Sequence, residues 1–74
     1  MNIVRVALAV PLPRFFDYLY PPNLMPIVGG RVLVPFGSQK RVGIVVDLPA
    51  SSDVAKEKLK PIIDVLDAES LLVG

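Results

Sequence analysis

Apolar and polar positions alternate along much of this 74-residue chain, and the alternation stops at prolines and glycines. In the segment Asn2–Val10, Val4, Val6, Leu8 and Val10 share one side at period two, which predicts a strand with Arg5 on a wetter face. Pro11 and Pro13 end it, because neither donates to a ladder. Phe16–Tyr20 alternates again, with Phe16, Tyr18 and Tyr20 on one side and Asp17 and Leu19 on the other. Pro21-Pro22-Asn23 predicts a loop, residues 24–28 are too broken by proline to assign, and Gly29-Gly30 is the strongest turn.

The pattern resumes in Arg31–Phe36, a third strand with Val32, Val34 and Phe36 on one face, and Pro35 implies a sheet edge or a strand end. A polar connection of four residues, Gly37 to Lys40, leads into a fourth strand over Arg41–Leu48, so the pair is expected to be a hairpin. Gly43 within it predicts a bulge or a close backbone approach. After a loop from Pro49 to Asp53, Ser52 or Asp53 is expected to cap one helical turn reaching Lys58, and Pro61 to end it. Ile62–Leu66 is a last short strand. The fold class is therefore mainly β: a small OB-like five-stranded barrel, closed or half-closed, with at most one short helical turn.

Composition narrows the chemistry. The chain has no cysteine and no histidine, which excludes disulfides, thiolate–imidazole zinc sites and any Ser–His or Cys–His nucleophile pair. No phosphate-cradling glycine loop is present, since the glycines fall at 29, 30, 37, 43 and 74. The carboxylates Asp47, Asp53, Asp64 and Asp67 are scattered over loops and strand edges and read as solvated surface. With 53% hydrophobic residues the core must be dense. The uncharged run from Tyr18 to Gly30 contains Pro21, Pro22, Pro26, Gly29 and Gly30, a composition foreign to a membrane-spanning helix. Residues 1–46 carry five bases against the single acid Asp17, a net +4, whereas residues 47–74 carry a net −3. A basic half of this kind hints at a polyanionic partner.

Four of the five aromatic side chains lie between Val10 and Tyr20, in V-P-L-P-R-F-F-D-Y-L-Y, around the lone carboxylate of Asp17. On periodicity alone Phe16, Tyr18, Tyr20 and Phe36 are core, Gly37 is a turn glycine and Lys60 a solvated lysine. An exposed aromatic and an acid beside a base would equally make a recognition surface.

The start V-A-L-A-V-P-L-P-R-F-F-D-Y-L-Y, the later G-R-V-L-V-P-F-G, the strand R-V-G-I-V-V and the closing L-K-P-I-I-D-V-L-D together resemble a known family. They look like the N-terminal domain of bacterial primosomal protein N′, the replication-restart helicase PriA. The resemblance implies an OB-like barrel, residues 1–67, that binds the 3′-terminal nucleotide of the nascent leading strand at stalled replication forks. Residues 68–74 would begin a linker to the missing helicase part. It further implies that this chain is not itself an enzyme, that ATP, Mg and Zn serve the rest of a 3′ to 5′ helicase, and that the protein is cytoplasmic. Its partners would be single-stranded DNA 3′ ends, forked DNA, the other helicase domains and primosome proteins.

By the same resemblance the pocket for the terminal nucleotide maps onto Phe16 and Asp17 of F-D-Y, Gly37 of V-P-F-G and Lys60 of L-K, with Lys58 as the other lysine in reach. Position 15 is a phenylalanine, bulkier than the family pattern leads one to expect. A competing reading is a small β-barrel adaptor that binds a peptide or another domain of its own chain. The first reading requires Gly37 and Lys60 to converge on a partly exposed Phe16 or Asp17, whereas the adaptor requires an exposed apolar groove without that convergence.

Overall fold

Each period-two run of valines becomes a strand in the computed structural model, which describes residues 2–12 and 14–67. The strands are β1 (Ile3–Leu8), β2 (Phe16–Leu19), β3 (Arg31–Phe36), β4 (Gln39–Asp47) and β5 (Asp64–Val65). They form one antiparallel sheet in the order β2-β1-β4-β3-β5. The outer strand β2 is tied to the segment that leads into β5, the other outer strand. The Leu19 N–H donates to the Lys60 carbonyl at 2.9 Å and the Ile62 N–H donates to the Leu19 carbonyl at 2.8 Å, forming a parallel bridge from Leu19 to Pro61. The sheet thereby curls into a half-closed barrel, and part of the β2 edge is satisfied rather than left open.

The core is the inward row of the alternation. Val4, Val6, Tyr18, Val32, Val34, Val45 and Ile62 pack as one buried cluster, with Phe16, Tyr20 and Leu8 half-buried against it. Each fully buried valine contributes about 1.5–3 kcal/mol relative to exposure. Tyr18 keeps its polar tip satisfied by donating its hydroxyl to the Pro35 carbonyl at 2.8 Å. Pro35 is tolerated because its nitrogen lies on the β5 side of β3, along with the Arg31 and Leu33 carbonyls that accept from Leu66 and Ile63, and β5 pairs no farther than Leu33.

Several expected details are corrected. β1 ends at Leu8 rather than Val10, β2 ends at Leu19, and β5 is two residues long because Ile62 turns to bond β2 instead of β3. Ile3 is buried although it shares a face with Arg5, so that face is wet only in part. The β3–β4 hairpin has a two-residue turn, not a four-residue one, since Phe36 already pairs with Gln39. Gly37 has φ +60° and Ser38 does not have a positive φ, the pattern of a type II′ turn, whose twist matches that of the strands. Gly43 marks a close approach and not a bulge. A Cβ there would collide with the Val6 and Leu8 side chains and lie 3.0 Å from the Ala7 carbonyl. The bulge falls at Val46, where the register passes from Val6 opposite Val45 to Arg5 opposite Asp47.

Among the described residues the one helical turn is a 3-10 turn over Lys56–Lys58, and neither Ser52 nor Asp53 caps it: its N-cap is Ala55, with no side-chain hydrogen bond. Ser52 is engaged elsewhere. The expected stop at Pro13 and the linker at 68–74 lie outside the described residues.

Candidate functional site

The bridge from Leu19 to Pro61 lays the segment before Pro61 alongside β2, while Phe36, where the β3–β4 turn begins, meets Phe16 of β2. Between them lies a cavity of 670 Å³. That volume falls within the range of about 300–1,000 Å³ usual for small-ligand clefts. Phe16, Asp17, Gly37 and Lys60, the residues expected from the sequence, all line it. So does Lys58, so the cavity offers both candidate lysines. Counting Arg5 and Arg14 against Asp17 and Asp53, the lining carries four cations and two carboxylates.

Asp17 is held more tightly than a free acceptor would be. Arg5 stands directly opposite it across the β1–β2 pair. The guanidinium donates through Nε to Oδ1 at 2.9 Å and through Nη2 to Oδ2 at 3.2 Å. Ser52 donates its hydroxyl to Oδ2 at 2.5 Å. The Asp17 side chain is left only 8% exposed. Burial opposes the charged carboxylate, but the hydrogen bonds from Arg5 and Ser52 and the Arg5 charge outweigh it, and the pKa falls below the ordinary aspartate value. Asp17 is therefore an acceptor-only group at neutral pH. The bulge at Val46 sets Asp47 on the other flank of Arg5, at 3.9 Å.

Phe16 is half-buried. Its ring meets Phe36 edge-on, with centroids 5.3 Å apart at 88°, and the Arg14 guanidinium lies 4.7 Å from its centroid. Phe16 lines the cavity between these two contacts. Phe15, next to it on the cavity lip, is 58% exposed. Gly37 lines the cavity with no atom beyond its chain neighbours within 4 Å of where a Cβ would stand, so the glycine is required by its positive φ and not by crowding.

Sequence reasoning missed Arg5 and Arg14, which line the cavity, and Ser52, which bonds Asp17. Arg5 was legible in principle, because opposite charges on the outer faces of two strands joined by a short connection are natural cross-strand partners. Ser52 was not, since 35 residues separate it from Asp17. Among the described residues no group of three His, Cys, Asp or Glu side chains is placed to hold a metal ion, and no helix is long and apolar enough to cross a membrane.

Residues 5–73 match the PriA family model described as the 3′DNA-binding domain (3′BD). The chain belongs to the PriA 3′ DNA-binding domain family. It is 61% identical over 71 residues to the replication restart protein PriA of Haemophilus influenzae, 42% identical over 71 residues to that of Buchnera aphidicola subsp. Acyrthosiphon pisum, and 35% identical over 77 residues to that of Bacillus subtilis. These alignments cover 96–97% of the chain but only 10% of each relative. The chain thus spans about a tenth of the length of the curated relatives it matches.

Proposed function

We propose that this domain binds single-stranded DNA by its 3′-terminal nucleotide and so positions a replication-restart helicase on a stalled fork. The observation that carries the reading is the convergence of Phe16, Asp17, Gly37 and Lys60 on one cationic cavity of nucleotide size. The family description points the same way. An adaptor would need an apolar groove in place of that convergence.

The chemistry follows from the donor and acceptor inventory. A 3′-hydroxyl is a donor, and the ionised Asp17 can only accept, so the two pair. An internal nucleotide or a 3′-phosphate brings negative charge and no donor to the same place, and is rejected. Arg5 keeps the carboxylate ionised and aimed. Lys60, with Lys58 beside it, supplies cations for the last phosphate. Gly37 lets the strand approach the turn without meeting a side chain. Phe16 is packed by Phe36 and Arg14, so the more exposed ring for stacking a base is that of Phe15. The domain contributes binding and no chemistry of its own. ATP, Mg and Zn belong in this reading to the remainder of a longer cytoplasmic protein, which would also meet forked DNA and primosome partners.

The test is anisotropy of a labelled single strand ending in 3′-hydroxyl against the same strand ending in 3′-phosphate. The wild-type domain is expected to prefer the hydroxyl, and Asp17→Ala to lose the preference. Equal binding of both ends by the wild type would falsify end recognition.

A further inference from the structure

We propose that Ser52 is a specificity-determining residue of this site: although it does not itself line the cavity, its hydroxyl holds one oxygen of the Asp17 carboxylate that a ligand hydroxyl would bind, so end binding proceeds by exchange of one alcohol for another. The inference rests on the end-recognition reading above.

An ionised carboxylate has about four lone-pair positions. Three of them are filled here, one on Oδ1 by Arg5 Nε and two on Oδ2 by Arg5 Nη2 and the Ser52 hydroxyl. One position on Oδ1 is left over, but with the side chain only 8% exposed the approach of a ligand hydroxyl is eased where one of these groups yields. Arg5 is the poor candidate. It sits on β1, flanked on both sides by paired strands, and grips with two prongs that a single alcohol cannot replace. Ser52 is the good one. Among the described residues, no main-chain hydrogen bond ties residues 49–54 to the sheet. The Ser52 oxygen also accepts from the Val54 N–H at 3.1 Å, a local bond that survives its departure from Asp17.

Both alcohols are neutral donors of similar strength, so the exchange is nearly even in hydrogen bonds. The serine thereby damps the gain from recognising a hydroxyl. It also keeps Asp17 satisfied when a phosphate-ended strand arrives, because that end has no donor with which to displace it. Removing the serine hydroxyl should open the acceptor to the correct end and do nothing for the wrong one.

The experiment compares the wild-type chain, Ser52→Ala and Ser52→Thr for binding of single strands ending in 3′-hydroxyl or 3′-phosphate. Ser52→Ala is expected to bind the hydroxyl end roughly three- to ten-fold more tightly, the scale of one hydrogen bond. Its binding of the phosphate end should be unchanged, and Ser52→Thr, which keeps a hydroxyl, should behave as wild type. Unchanged or weaker hydroxyl-end binding in Ser52→Ala, or equal tightening for both ends, overturns the role of Ser52 while leaving a wild-type end preference intact. A wild type that does not distinguish the ends overturns the underlying reading as well.

Discussion

Phe15 and Phe16 are adjacent, chemically identical and differently employed. Phe16 stands in β2 and turns its ring toward Phe36 and the barrel, whereas Phe15, one residue before the strand, keeps more than half its surface in water. Truncating them should therefore separate stability from binding. Phe16→Ala opens a hole beside the core and is expected to cost roughly 1–3 kcal/mol in urea unfolding, below the range for a fully buried ring because Phe16 is only half-buried. Phe15→Ala should leave unfolding nearly unchanged and weaken single-strand binding by about 1–3 kcal/mol, the measure of a lost base stack. Wild-type binding by Phe15→Ala would return the stacking role to Phe16.

The elements meet around two glycines with opposite requirements. Gly43 in β4 lies beneath the Val6 and Leu8 side chains of β1, and the Ala7 carbonyl is 3.0 Å from where a methyl would stand, so a Cβ has no free direction in which to go. Gly37 in the hairpin turn has open space around it and only its φ of +60° to defend. Gly43→Ala is accordingly expected to destabilise by about 3 kcal/mol or more through overpacking of the β1–β4 pair. For a domain this small, that is a large share of the total stability. Gly37→Ala should cost roughly 1–2 kcal/mol through backbone strain alone. Thermal melts of the two variants check the order, and a Gly43→Ala protein as stable as Gly37→Ala would contradict the packing described.

At the scale of the whole molecule, the barrel's closure gathers charge that is dispersed in the chain. Arg5 and Arg14 come from the basic half, and Lys58 and Lys60 from the acidic half, yet all four border one cavity. Single-strand affinity should fall with salt, with a log–log slope of about 0.7 per phosphate neutralised. If Lys60 meets the last phosphate, Lys60→Ala lowers that slope by about 0.7 and Lys58→Ala leaves it nearly unchanged. A slope insensitive to both substitutions would remove the lysines from the contact.

The strands and their faces were written in the order of residues. Valine at period two marks a half-buried strand wherever it occurs, so β1, β3 and the hairpin were legible, as was the crowding at Gly43. That Phe16, Asp17, Gly37 and Lys60 border one cavity was expected only through family resemblance, because nothing local separates a cavity-lining lysine from a solvated one. Which strands pair, and what Asp17 touches, emerged only when the chain was folded. The Leu19–Pro61 bridge closes the barrel across more than forty positions and brings the 49–60 segment to β2. Strand periodicity says which face a side chain takes, but not which distant element covers it. For that reason Ser52 reads as a helix cap in the sequence and serves in the fold as a hydrogen-bond donor to Asp17.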